Sequence, residues 1–465
     1  MKKWLLLVAL AGFGLAAFFF FSKKAPSTPP RLTLFFTGDT RGRLVPCGCF
    51  TGQYGGLTRL KTALDRGANT NTIKVDVGDA IAGPEDFNVI QYRYILQAYQ
   101  GMGYDALNLG QREAQLSAPQ LRELKASATV PLLSANLLDQ QTGRPIFDGS
   151  RIITRGGFKI ALIGVLDPRG LAESLGDGLA VDKMETTLSK LLPTLRDKAD
   201  IFILLAFTDE TTLAKLAQEF YEFDLILGGK VSQPSQRLAK ENRSVILFIT
   251  NESRALGALR AQILGRGKLS VTEFQMLMLN DRIPEHPEVL ALAERYRQEI
   301  RNTRLRIDDL AEKQDNLVPG IKVAASYAGS ESCLGCHPSA AKAWEKSGHA
   351  EAFATLVHAK ADADPHCIAC HTVGFGSATG YRREDEGRKL ANVGCESCHS
   401  PGSLHVQQRK SGEPATFTFR PLGAGDCKKC HYGEFSRPFD WETFWPRVVH
   451  GKEPKRTAAL SKEAK

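Results

Sequence analysis

The sequence predicts a multidomain chain: an N-terminal transmembrane helix, an α/β domain, a helical connector and a mainly α C-terminal domain. Three observations carry this reading. An unbroken apolar run opens the chain, strand and helix patterns alternate through its middle, and four Cys-x-x-Cys-His motifs fill its last third. The expected boundaries are 1–30, 31–280, 281–326 and 327–465. A length of 465 residues leaves room for two or three domains, and 43% hydrophobic with 24% charged residues is a globular composition. The formal charge of +9 comes from scattered basic residues, so no nucleic-acid partner is expected.

Lys2 and Lys3 precede an apolar run from Trp4 to Phe21, and Lys23 and Lys24 follow it. Eighteen helical residues span about 27 Å, close to one hydrocarbon core. Gly14 and Ala16 offer a small-residue cleavage site, but Phe18–Phe21 follow at once, which favours an uncleaved anchor. Lysines at both ends leave the orientation undecided by charge. Ala25–Pro30, with three prolines, reads as a spacer.

From Arg31 to Leu279 the expected strands are Leu32–Phe36, Thr72–Val77, Val130–Leu133, Lys159–Val165, Ile201–Ala206, Leu225–Leu227 and Val245–Ile249. Helical patterns lie at Thr58–Leu64, Thr186–Leu195 and Thr211–Phe220. Ala258–Leu264 and Leu269–Met278 flank Gly-Arg-Gly-Lys and read as a closing hairpin. The alternation argues for an α/β domain with ligand loops at strand ends. Cys47 and Cys49 lie in one such loop. A disulfide across one residue is strained, since bridged Cα atoms sit about 4.4–6.8 Å apart. A soft-metal pair, free thiols and a redox pair all stay open, with a structural or redox loop preferred.

Pro287 opens the connector helix, with His286 before it as a surface residue. Leu290, Ala293, Tyr296, Ile300, Ile307 and Leu310 mark its apolar face. Arg295, Arg297, Arg301 and Arg304 read as a solvated face, with docking of an acidic partner as the sharper option. Asn316–Gly320 break the helix.

The four motifs are Cys333-Cys336-His337, Cys367-Cys370-His371, Cys395-Cys398-His399 and Cys427-Cys430-His431. Each is the signature of covalent haem attachment, with two thiols for the porphyrin and the adjoining His for the iron. Zinc ribbons are the alternative, but they do not need a His after every second Cys. Four c-type haems are therefore expected, and no second metal. Haem propionates would offset much of the positive charge. Attachment outside the cytoplasm sets the expected location: the periplasmic side of the inner membrane, or the periplasm itself if the anchor is cleaved.

The α/β region resembles the metallophosphatase domain of 5′-nucleotidases, which implies a two-sheet sandwich. Thr37-Gly38-Asp39-Thr40-Arg41-Gly42 is similar to the first metal motif, and Asp76-Val77-Gly78-Asp79 to the second. Gly110-Gln111-Arg112-Glu113 stands at the family's Gly-Asn-His-Glu. Leu205-Ala206-Phe207 and Gly228-Gly229-Lys230-Val231-Ser232 stand at its later His motifs. The resemblance implies metal-binding His at Arg41, Arg112, Phe207, Lys230 and Ser232, and Asn at Gln111. Only Asp39 and Asp79 remain, as a vestigial metal site. Cations at three of the positions repel metal, so the domain is expected to be non-catalytic. Arg41, Arg112 and Lys230 either hold an anion or pair with the two aspartates.

The C-terminal region resembles the cytochrome c-554 family of tetrahaem electron carriers. Besides the motifs, the resemblance rests on Ala343-Trp344, Gly348-His349-Ala350, Val373-Gly374-Phe375-Gly376, Asn392-Val393-Gly394 and Ser400-Pro401-Gly402. It implies His349 as distal ligand of the third haem, His405 of the first and His450 of the fourth. The second haem, on His371, lacks a second protein ligand in that family. His358 is a possible distal ligand here, whereas His366 abuts its own motif. The expected function is electron transfer between redox partner proteins. A haem enzyme acting on nitric oxide or hydroxylamine at the second haem is the alternative, and a nucleotide or phosphoester hydrolase a further one.

Overall fold

A computed structural model describes residues 29–46, 53–250, 252–303, 325–382, 389–414, 421–431 and 439–451. The apolar run at Trp4–Phe21, Cys47, Cys49, Ile307, Leu310 and Asn316–Gly320 lie outside the described residues.

In chain order the α/β part runs β1 (Arg31–Thr37), α1 (Leu57–Gly67), β2 (Thr72–Asp76), α2 (Asp86–Gly101), β3 (Ala106–Asn108), α3 (Ala118–Ser127), β4 (Leu132–Leu133), β5 (Leu137–Asp139), β6 (Ser150–Arg155), β7 (Phe158–Leu166), β8 (Leu179–Val181), α4 (Met184–Leu195), β9 (Ile201–Phe207), α5 (Glu210–Glu219), β10 (Leu225–Gly228), β11 (Ala239–Glu241), β12 (Ser244–Phe248), β13 (Ala255–Gly265), β14 (Lys268–Met278) and α6 (Pro287–Asn302). One sheet has the order β14-β13-β1-β2-β3-β4 and the other β11-β12-β10-β9-β7-β6. β1 to β4 are mutually parallel, as are β7, β9, β10 and β12, while β13 and β14 close the first sheet as an antiparallel hairpin.

Period-two alternation sends Leu32, Leu34 and Phe36 of β1 and Ile201, Ile203 and Leu205 of β9 into one core between the sheets. The opposite residues of β9, Phe202, Leu204 and Ala206, face α4 and α5. All seven residues of β9 are therefore buried, the mark of a strand covered on both faces. On the outer face of the first sheet, Phe35 joins residues of α1, α2 and α6. The result is two stacked sheets flanked by helices, the sandwich the sequence implied. The sequence reading omitted α2, whose buried positions include Asn88, Gln91, Tyr92 and Tyr99, too polar for a clean apolar stripe.

Helix caps follow local chemistry. Asp209 accepts from Thr212 N at 2.9 Å to start α5, and Ser117 with Gln120 forms a capping box on α3. His286 proves to be the cap of α6, accepting from Glu288 N at 3.3 Å ahead of Pro287. The buried stripe of α6 is Val289, Ala293, Tyr296 and Ile300. Leu290, expected in that stripe, is instead 40% exposed.

The C-terminal region is a set of short helices, among them Pro338–Glu345, Ala352–His358, Pro365–His371, Cys395–His399 and Ser403–Lys410. Among the described residues its apolar cluster is small: Leu356, Ala361, Ile368, Val373, Tyr381 and Leu390. That is too little apolar burial to hold so long a segment without a further apolar filling. Arg301 donates to Asp362 at 2.6 Å and so ties α6 to the segment ahead of the second motif.

Candidate functional site

The histidines of the C-terminal region meet in pairs. Ring centroids lie 6.2 Å apart for His337 and His405, 6.1 Å for His349 and His431, and 5.9 Å for His399 and His450. A metal between two imidazoles takes bonds of about 2 Å on each side, with each ring centre about 1 Å further back. Centroids about 6 Å apart thus suit two rings sharing one metal. The structure exchanges two partners relative to the sequence reading, which set His349 against the third motif and His450 against the fourth. The reason is the path of the tail. Phe439 stacks on His431 at 5.8 Å and Phe444 meets it edge-on at 5.3 Å, and the chain then runs on to bring His450 to His399.

His371 is different. Its Nδ1 donates to the Ala352 carbonyl at 2.6 Å, which fixes the ring and leaves Nε2 for a metal. Among the described residues no histidine ring contact is made with it. His358 ends the helix Ala352–His358 and is exposed. His366 is used elsewhere: its Nε2 lies 2.7 Å from Asn88 Oδ1, and its ring meets Phe87 edge-on at 5.4 Å. Burial lowers its pKa, so it is held neutral at the boundary with α2.

The thiols show how the motifs neighbour one another. The Cys333 thiol lies within hydrogen-bond reach of Cys395 and that of Cys430 within reach of Cys370, all four being free thiols, and Cys398 sits close to Cys427 and Cys430. The spatial order is therefore first, third, fourth, second. All four motifs open on one cavity of about 2350 Å³. Clefts for a single small ligand measure about 300–1,000 Å³. Paired thiols, an adjoining His, a facing His and a cavity of this size fit haem. Among the described residues no three His, Cys, Asp or Glu side chains converge as a zinc site would require.

Residues outside the motifs hold this geometry. Glu396, 5% exposed, accepts from the backbone N–H groups of Ala328, Gly329 and Gly402 at 2.9, 2.8 and 2.7 Å. It staples the start of the domain to the third motif, a role the sequence did not disclose. Trp344 Nε1 donates to the Val393 carbonyl at 2.8 Å, and Asn392 Oδ1 accepts from Phe353 N at 2.9 Å.

In the α/β domain the strand-end loops keep unusual backbones. Asp39, Arg41, Asp79 and Lys230 all have positive φ, 57°, 45°, 59° and 55°. Asp39 accepts from Arg41 Nε at 2.5 Å and from Thr250 Oγ1 at 2.7 Å. Arg41 also donates to Glu252 at 2.8 Å. Asp79 accepts from Arg112 N at 2.9 Å, with the Arg112 guanidinium 3.6 Å away. Arg41 and Arg112 thus stand against the two aspartates. Lys230 goes elsewhere, donating to the Arg169 carbonyl at 3.1 Å, 4.0 Å from Asp167. Gln111 Nε2 bonds the carbonyls of Asp167 and Arg169. Phe207 is buried, and Ser232 is exposed. Glu113, buried, gathers the N–H groups of Asp79, Ala80, Ile81 and Gly110 at 2.8–3.1 Å. Burial raises the pKa of Asp39 despite Arg41 beside it, and burial with Glu113 nearby raises that of Asp79.

Residues 332–400 match the family model of cytochrome c554 and c-prime. The chain is 36% identical over 105 residues to cytochrome c-554 of Nitrosomonas europaea, covering 19% of this chain and 45% of that one. It is 26% identical over 231 residues to the 5′-nucleotidase of Vibrio cholerae, covering 44% and 40%. The solved 5′-nucleotidase precursor of Thermus thermophilus superposes with a TM-score of 0.52 at 20% identity, covering 58% of this chain and 59% of that chain. The NAD nucleotidase of Haemophilus influenzae gives 0.51 at 17% identity, covering 58% and 60%. These likenesses establish a 5′-nucleotidase-type metallophosphatase fold in the N-terminal part and a cytochrome c-554 segment in the C-terminal part. The chain spans less than half the length of these curated relatives.

Proposed function

We propose that this chain is a membrane-tethered tetrahaem cytochrome c relaying electrons between redox partner proteins on the periplasmic side of the inner membrane. The observation that carries the reading is the set of three facing histidine pairs around one cavity. Haem bound there supplies one-electron chemistry that side chains lack. The chain's own part is to hold rings on both faces and so leave no room for substrate. The tether is Trp4–Phe21, on sequence grounds. Among the described residues no helix is long and apolar enough to cross a membrane.

A second reading is favoured by His371, whose ring has no facing histidine among the described residues. An iron open there would admit a small ligand such as nitric oxide or hydroxylamine. The α/β domain supports the carrier reading by default, because Arg41 and Arg112 neutralise the carboxylates that a metal pair would need.

An EPR spectrum of the oxidised protein tests the choice. A high-spin ferric signal for roughly one haem in four marks an open iron at His371. Wholly low-spin iron overturns the second reading and leaves the carrier. Manganese-dependent hydrolysis of a nucleotide by the purified protein would overturn the non-catalytic assignment.

A further inference from the structure

We propose that Arg43 and Arg297, both outside the C-terminal domain, pair with the carboxylates of the haem bound at Cys367, Cys370 and His371. The inference rests on the haem reading above and adds that the metallophosphatase-like part is a wall of the second haem site.

The cavity wall beside the second motif comes from two other elements. The loop after β1 contributes Arg43 and Val45, and α6 contributes Leu290, Tyr296 and Arg297. Both lie close to the motif itself. Arg43 is near enough to His366 to oppose its protonation, after burial and against Asp364. Tyr296, on α6, lies close to Asp364 and Cys367. The wall is fixed in place by His366 on Asn88 and by Arg301 on Asp362.

Its chemistry matches one ligand type. Leu290 is an apolar side chain left 40% exposed although the neighbouring stripe of its helix is buried. A wall that carries an exposed leucine, a tyrosine and two guanidinium groups suits a flat apolar molecule with carboxylates at one edge, which describes haem. Guanidinium takes carboxylate through two parallel bonds, which a point charge cannot. Glu252 orients Arg43 at 3.0 Å, and Glu294 stands 4.0 Å from Arg297, far enough to leave its fork for another partner. The first metal-type loop thus has a present use. Arg41 closes it against Asp39, and Arg43, two residues on, faces the cavity.

A cation beside a haem carboxylate favours the reduced iron, so its removal lowers the midpoint potential of that haem alone. The test uses the full-length protein. Haem content is first counted from the alkaline pyridine spectrum; a count other than four overturns the haem reading and this inference with it. With four haems present, EPR-monitored redox titration follows for wild type, Arg297→Gln, Arg297→Lys and Arg43→Gln. The haem of the second motif is recognised as the one whose signal His371→Met alters. Arg297→Gln and Arg43→Gln are each expected to lower that one potential, with Arg297→Lys between them and wild type. Four haems with unchanged potentials, or an equal fall at all four, overturns the inference and leaves the carrier reading standing.

Discussion

Asp39, Asp79 and Lys230 hold left-handed backbones that bulky side chains ordinarily avoid, and each sits at a strand end. The strain persists although metal-type ligands are missing around it, because ion pairs now fix the same loops. Arg41→Ala would leave the Asp39 carboxylate, 3% exposed, with Thr250 as its side-chain donor. Arg41 is itself 36% exposed, so the expected loss is about 1–2 kcal/mol, seen as a lowered first melting transition. Asp76 carries a pH signature. Burial raises its pKa from 3.8 to about 6, against bonds from Thr37, Gly78 and Tyr99. Its folded form keeps a proton that the unfolded chain releases. Its contribution is therefore full below 3.8 and lost as pH rises through about 6. Asp76→Asn should flatten the stability profile between those values, by on the order of 3 kcal/mol. Among the histidines, sequence position singled out His349 and His450, but their partners depended on where Phe439 and Phe444 send the tail. If His349 and His431 share one iron, the double variant H349A/H431A disturbs one haem by EPR. H349A/H399A then disturbs two; the reverse count would restore the sequence assignment.

At the level of elements, the strands were readable because their cores are apolar runs covered on both faces, as in β9. α6 was read with its stripe one residue off, at Leu290 in place of Val289, because both are apolar and only packing separates them. α2 was missed because amides and tyrosines interrupt the apolar residues of its buried face. That same polar face is what receives His366. Asn88→Ala would leave the half-buried His366 Nε2 without its Asn88 partner, at a cost of about 1–2 kcal/mol. His366 also makes the contact pH-dependent. Burial holds its folded pKa below 6.5, so its contribution to stability is full above 6.5 and is lost as pH falls through the lower folded value. Amide protection along α2 and the helix Pro365–His371, taken relative to the intrinsic exchange rate at each pH, should fall below pH 6.5 and lose that dependence in His366→Gln. No change in protection across that range would refute the contact's titration.

Across the whole molecule, two folds of different kinds share one wall. The fold of each was legible from motifs in sequence order, since both resemblances rest on loops and cysteine spacings fixed by backbone geometry. Their mutual arrangement was not legible. It depends on Asn88, Phe87, Arg301 and Asp362, each of which reads as an ordinary surface or loop residue. The two parts should also differ in what holds them. The sheets bury large apolar clusters of their own, whereas the C-terminal part buries little. Protein made without haem attachment is expected to lose its C-terminal part first under limited proteolysis, while the sandwich from β1 to α6 persists. Equal resistance of both parts would contradict this.

The small apolar cluster of the C-terminal part has a consequence for how such a chain is made. Until its cysteines are loaded, Leu290, Trp344 and Val45 border open space that water fills poorly. A newly made chain without its cofactor would therefore present an apolar hollow beside the sandwich. Its lifetime in that state depends on how quickly cofactor arrives, and the contacts of His366 with Asn88 and of Arg301 with Asp362 give the C-terminal part a surface of the sandwich to settle against.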